Sequence, residues 1–142
     1  MNNKFYLGNI IGSGSFGDVY VGINKEKKID DKDRIVAIKL ESIDKNKIQI
    51  LEFESKIYNY LYNNGEGVGK GIPKLYWYGK QGNYNVLVSE LLGHSLEHLL
   101  HKYNKFSIKT ICLIAMDILK TFNYIHGKGI IHRDIKPENF LI

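Results

Sequence analysis

Apolar and polar positions change period several times along the chain, and each change marks an element. Residues 5–11 are β-prone, residues 12–18 are rich in glycine and serine, and Val19, Tyr20, Val21 and Ile23 return to β-prone side chains. The pattern predicts a strand, a glycine loop and a second strand. After the charged, loop-like residues 25–34, the run IVAIKL at 35–40 predicts a buried strand. Alternation puts Val36, Ile38 and Leu40 on one face and Ile35, Ala37 and Lys39 on the other. Residues 49–63 read as a helix in which Ile50, Glu54, Ile57 and Leu61 share a stripe, so Glu54 interrupts it. A glycine-rich loop follows at 64–71, then two strands at 75–78 and 84–88 joined by residues 79–83. Ser95 reads as the N-cap of a short helix. Ser107 caps a long one running to about residue 124 or 126, with Ile108, Ile111, Cys112, Ala115, Ile118, Leu119, Phe122 and Ile125 on its apolar face and Gly127 near its end. Residues 130–132 lead into a polar loop, and residues 140–142 begin a further strand.

Several charges sit where this pattern does not want them. Lys39, on a face of a buried strand, needs an anionic partner, because an unpaired buried ammonium is costly. Glu54, inside an apolar stripe, is the opposite misfit, and the two suggest one ion pair; Glu52, off the stripe, is the second choice. The competing reading is a lysine that reaches water along its own stem, with an unrelated surface glutamate. Gly12, Gly14 and Gly17 form a G-x-G-x-x-G that lets the backbone approach phosphates and leaves N–H groups free to bond them. Dinucleotide-binding folds use the same spacing, but where a strand turns into a helix. The β-branched and aromatic residues after Gly17 favour a hairpin instead. The Gly69-Lys70 pair is not a Walker loop, since Asn64 stands at its first glycine position and Gly71 follows the lysine where Ser or Thr is required. His94, Glu97 and His98 formally match a zinc-protease H-x-x-E-H, yet a cap at Ser95 would leave His94 outside the helix. The segment 131–142 collects two acids, two cations, a histidine and an amide between apolar flanks, as a loop built for chemistry does.

The order H-R-D-I-x-x-x-N in that segment is similar to the protein kinase catalytic loop. The resemblance assigns Asp134 as the base facing a substrate hydroxyl and Asn139 as a magnesium ligand, with Lys136 placed to neutralise charge on the transferred phosphoryl group. An uncharged amide oxygen can bind a hard cation without adding negative charge beside phosphates. Lys39 and Glu54 then correspond to the kinase pair that positions the lysine on ATP. More narrowly, the chain resembles the N-terminal half of a casein kinase I family serine/threonine kinase. The likeness lies in GSGSFGD at 12–18, ESKIY at 54–58, GIP at 71–73, YNV at 84–86, ELLG at 90–93 with SLE at 95–97, and residues 131–141, covering nearly the whole chain.

The resemblance implies an α+β, protein kinase-like fold: a five-stranded antiparallel small lobe with one main helix over 1–88, a hinge at 89–93, and the start of a truncated helical large lobe over 94–142. It implies ATP and Mg2+ as cofactors, with Gly12, Ser13, Gly14, Ser15, Phe16 and Gly17 over the phosphates. Ile11, Val19, Ala37 and Leu141 would sandwich the adenine, and Glu90 and Leu92 would supply backbone hydrogen bonds. Ser89 stands where the family usually carries a bulkier gatekeeper, which predicts an enlarged rear pocket. Substrates would be acidic or pre-phosphorylated proteins, modified on Ser or Thr. The chain ends before the D-F-G aspartate and the remaining large-lobe helices, so little transfer is expected from it alone, and the uncovered helix 107–126 favours self-association. A non-catalytic, truncated kinase fold acting as a nucleotide-binding or interaction module is the alternative.

Composition narrows this only a little. At 142 residues and 16.4 kDa, with 44% hydrophobic residues, the chain suits one globular domain or a piece of one. A net charge of +5 fits an anionic partner, but the lysines are dispersed, which disfavours nucleic acid and leaves ATP and acidic proteins. The single cysteine, Cys112, lies in the apolar helical pattern, predicting a buried thiol in a reducing compartment. No stretch approaches the ~18 apolar residues of a membrane span. The expectation is an intracellular protein of the cytoplasm, the nucleus or both.

Overall fold

A computed structural model describes residues 3–14, 17–44, 49–62, 67 and 69–142. The chain divides into two compact units, one of Met1–Tyr62 with Pro73–Leu91, the other of Asn63–Ile72 with Leu92–Ile142.

The first unit is a five-stranded antiparallel sheet in the order β1-β2-β3-β5-β4. Its strands are β1 (Phe5–Gly14), β2 (Gly17–Asn24), β3 (Ile35–Ser42), β4 (Leu75–Gln81) and β5 (Tyr84–Glu90). Each runs a few residues further than the apolar run that announces it, because ladder pairing continues into the polar hairpin ends, as in Gln81 opposite Tyr84. The alternation expected in β3 is observed. Val36 and Ile38 are fully buried and join Phe5, Val86 and Val88 in a core, flanked by Tyr20, Leu40, Tyr76 and Trp77. Ala37, Lys39 and Glu41 occupy the opposite face.

Helix α1 (Leu51–Leu61) is shorter than the expected 49–63 and rotated by about one residue. Leu51, Ser55 and Leu61 are its buried residues, whereas Ile50, Glu54 and Ile57 are half-buried at the edge of the contact. Small Ser55 is buried because its hydroxyl is satisfied within the helix, donating to the Glu52 carbonyl at 2.7 Å.

Asp33 tethers the approach to β3. Its carboxylate takes Lys74 Nζ at 2.8 Å, and hydrogen bonds from Lys74 and then Tyr76 hold its pKa below the ordinary aspartate value.

The second unit is built on α2 (Leu96–Tyr103) and α3 (Ile108–Gly127). Ser95 and Ser107 cap them as expected, their hydroxyls accepting from His98 N at 3.2 Å and Thr110 N at 3.1 Å. On α3 only Ile125 is fully buried, and Ile118 and Phe122 are half-buried. Ile108, Ile111 and Leu119 are exposed, and so is Cys112, which corrects the expectation of a buried thiol. Helical periodicity identified the apolar stripe, but burial needs a partner, and nothing described within this unit packs over that part of it. The end of the chain forms no full strand; Leu141 makes an isolated bridge with Ser95, supported by Leu96 N to Phe140 O at 2.8 Å. No helix among the described residues is long and apolar enough to cross a membrane.

Candidate active site

In the sheet unit, the two misplaced charges meet. Lys39 Nζ lies 2.7 Å from Glu54 Oε2, with side chains only 25% and 28% exposed. A charge-assisted bond shielded to this degree is stronger than a surface pair. Lys39 has Val19 and Leu87 as its cross-strand neighbours, and Ala37 has Val21 and Ser89. Val19, Ala37, Lys39 and half-buried Ser89 therefore share one face of the sheet. Glu52 instead binds Lys56 at 2.9 Å on the exposed side of α1, which removes it as the partner of Lys39.

The glycine loop is the tip of the β1–β2 hairpin, with Gly12 opposite Val19, Ser13 opposite Asp18 and Gly14 opposite Gly17. Ser13 donates its hydroxyl to Asp18 Oδ1 at 2.6 Å. Ser15 and Phe16, also expected over the phosphates, lie outside the described residues. The glycines differ in kind. Gly17 has φ +117°, and a Cβ there would collide with the Leu40 carbonyl oxygen, so the fold itself demands glycine. A Cβ on Gly14 would meet nothing, and one on Gly12 only Val19 in ordinary contact, so their bareness leaves space for a ligand. Ile11 sits beside an irregularity in the β1 register, half exposed. The Glu90 N–H donates to the Lys74 carbonyl at 2.8 Å, and the Glu90 carbonyl accepts a long bond from the Ser89 hydroxyl at 3.4 Å.

In the second unit, the polar loop closes on itself. Asn139 Nδ2 donates to Asp134 Oδ2 at 2.8 Å and to the Asp134 carbonyl at 2.9 Å, and Lys136 Nζ lies 3.2 Å from Asp134 Oδ2. These contacts, the Asn139 bond foremost and Lys136 next, hold the Asp134 carboxyl below its ordinary pKa. Asn139 uses its amide nitrogen on Asp134, so the group it could offer a cation is its carbonyl oxygen. A 3-10 turn at Pro137–Asn139 brings Asn139 back to Asp134, and Arg133 holds φ +63°, a strained value for a non-glycine residue. Leu141 follows, half exposed beside Ser95, while Leu92 lies in the segment before α2.

An aromatic cluster supports the loop. His132 stacks on Phe140 with centroids 6.3 Å apart, and Phe122 of α3 meets both edge-on at 6.1 and 6.0 Å. Sequence reasoning placed Phe122 on the apolar face but did not connect it to the loop. It also passed over Glu41, whose signal was there: an acid two residues after Lys39 on the same strand face is a third misplaced charge. The His94 and His98 rings stack face to face at 4.1 Å while Glu97 turns to His101 at 2.8 Å, and among the described residues no three such side chains form a metal-holding group. A cavity of about 600 Å³ lies in the second unit, lined by Lys70, Asp117, Lys120 and Thr121 among others, and contains none of the residues above.

A five-stranded antiparallel sheet with three helices is a protein kinase-like α+β fold. A family model described as protein kinase domain matches residues 5–142, and the chain belongs to that family.

Proposed function

We propose that the protein is an ATP- and magnesium-dependent serine/threonine kinase of casein kinase I type, acting on acidic or pre-phosphorylated proteins inside the cell. The observation that carries this reading is the Lys39–Glu54 pair at 2.7 Å, which fixes an ammonium on the sheet face shared with Val19, Ala37 and Ser89. Kinases in general use such a lysine to hold nucleotide phosphates. The open space at Gly12 and Gly14 fits phosphates under the hairpin tip. We assign residues 1–88 to a small lobe, 89–93 to a hinge and 94–142 to the start of a large lobe.

Asp134 would orient the substrate hydroxyl and accept its proton as that oxygen bonds to the γ-phosphorus and the bond to the β-phosphate oxygen breaks. With its pKa held low, Asp134 is ionised at neutral pH and acts more as a hydrogen-bond acceptor that aims the hydroxyl than as a strong base. Lys136 brings positive charge to the transferred group. Asn139 would hold the divalent cation, which when bound neutralises phosphate charge.

The test is MgATP titration together with phosphotransfer to casein and phosphoamino-acid analysis. MgATP binding is expected of this chain, and phosphoserine or phosphothreonine formation that disappears in Asp134→Ala is expected once the D-F-G segment is supplied. Nucleotide binding without transfer even then would select the alternative, a non-catalytic nucleotide-binding or interaction module, and failure to bind MgATP would end both.

A further inference from the structure

Helix α1 delivers Glu54 to Lys39, yet it begins without a cap of its own. Ile50 stands at its N-cap position and offers no side-chain hydrogen bond, and the first-turn N–H groups of a helix have no partners inside it. The missing acceptor comes from β3. Glu41 Oε1 accepts from Ile50 N at 2.7 Å and from Leu51 N at 3.3 Å, and the residue is 8% exposed. Negative charge at a helix N-terminus is favoured by the helix dipole as well. Asn85, directly across the ladder from Glu41, donates Nδ2 to Glu41 Oε2 at 3.0 Å and to Gln49 Oε1 at 2.7 Å, so the carboxylate is itself held in place. Asn85 Oδ1 is buried with no partner among the described residues.

The spacing matters. Glu41 lies two residues from Lys39 on the same strand face, and Leu51 lies three residues, about 4.5 Å of helix rise, before Glu54. The cap therefore fixes α1 to the strand carrying the lysine less than one turn from the glutamate that must reach it. We propose that Glu41 is a positioning residue for the Lys39–Glu54 pair, acting through the N-terminus of α1 and held by Asn85. The proposal rests on the reading of Lys39 as the cation that orients nucleotide phosphates, where a misplacement near 1 Å is enough to matter.

The test is a mutant cycle on the full chain, with MgATP affinity, the 15N signal of the Lys39 ammonium and the melting temperature read for each variant. Glu41→Ala is expected to weaken MgATP binding about tenfold, the order of a lost cap, and to displace the Lys39 signal. Placed in a Glu54→Gln background, the same change is expected to alter affinity less than about twofold, since the pair it positions is gone. Glu41→Gln keeps one acceptor for Ile50 N–H and is expected to recover most of the affinity; if the alanine variant does not fold, Asn85→Ala, which releases the Glu41 carboxylate, takes its place. An equal loss of affinity in both backgrounds, or an unmoved Lys39 signal in Glu41→Ala, would overturn the proposal, leaving Glu41 a stabilising cap only. If the wild-type chain binds no MgATP, the kinase reading fails, and the Lys39 signal, displaced in Glu41→Ala and restored in Glu41→Gln, still decides whether Glu41 positions the pair.

Discussion

At the scale of single residues, the hairpin glycines separate two reasons for the same amino acid. Gly17 holds a backbone conformation that side chains rarely adopt and abuts the Leu40 carbonyl, whereas Gly14 faces open space. Gly17→Ala should therefore destabilise the fold by about 1–3 kcal/mol, the usual cost of a strained backbone position, seen as a lower denaturation midpoint. Gly14→Ala should leave stability within about 0.5 kcal/mol but weaken MgATP binding, because its new methyl group would enter the open space proposed for phosphate. Equal effects of the two changes on stability would refute the distinction. The sequence offered both glycines as one motif and could not tell them apart, since the atom that forbids a side chain at position 17 belongs to a strand more than twenty residues away. Lys39 and Glu54 were easier to read. Each contradicted the pattern of its own element, and a contradiction of sign on two neighbouring elements has few resolutions other than a pair.

At the scale of elements, strands and long helices were legible because their periods are local, and their ends were legible where a side chain ends them. Ser107 is the clearest case: its hydroxyl accepts from Thr110 N at 3.1 Å and lies 2.8 Å from Thr110 Oγ1. Ser107→Ala should lower stability by about 1 kcal/mol, whereas Ser107→Asp should hold it near wild type, both measured by chemical denaturation; no loss in the alanine variant would mean that α3 is fixed by packing alone. The start of α1 was less legible, because its cap is supplied from a different strand and leaves no mark in the helix's own sequence. The same limit explains the rotation of its stripe. Leu51 and Ser55 are buried by what lies above them, and the sequence of an amphipathic helix defines a broad apolar arc rather than the line along it that makes contact. Cys112 fails for the converse reason, being on the apolar arc of α3 without a neighbour to cover it.

At the scale of the whole molecule, the chain is divided in a way that sequence order conceals. Residues 63–72 interrupt the sheet unit in sequence but belong to the second unit, where Gly71, with φ +75°, packs so closely on Thr121 that a side chain would have to displace it. Net charge is the other property visible only across the whole sequence. At +5 the protein should attract an acidic substrate before any specific contact forms, and such steering is screened as salt shortens the Debye length from about 10 Å at 0.1 M toward 3 Å at 1 M. Where the D-F-G segment is supplied, the KM for an acidic phosphoacceptor peptide should therefore rise severalfold across roughly this range of ionic strength, with kcat little changed, because charge outside the reacting groups acts on encounter and binding. A peptide with its acids replaced by their amides is the control, since it also meets any salt effect on the binding of MgATP. A parallel rise in KM for both peptides would place the salt sensitivity in the nucleotide site and remove the argument for acidic substrates.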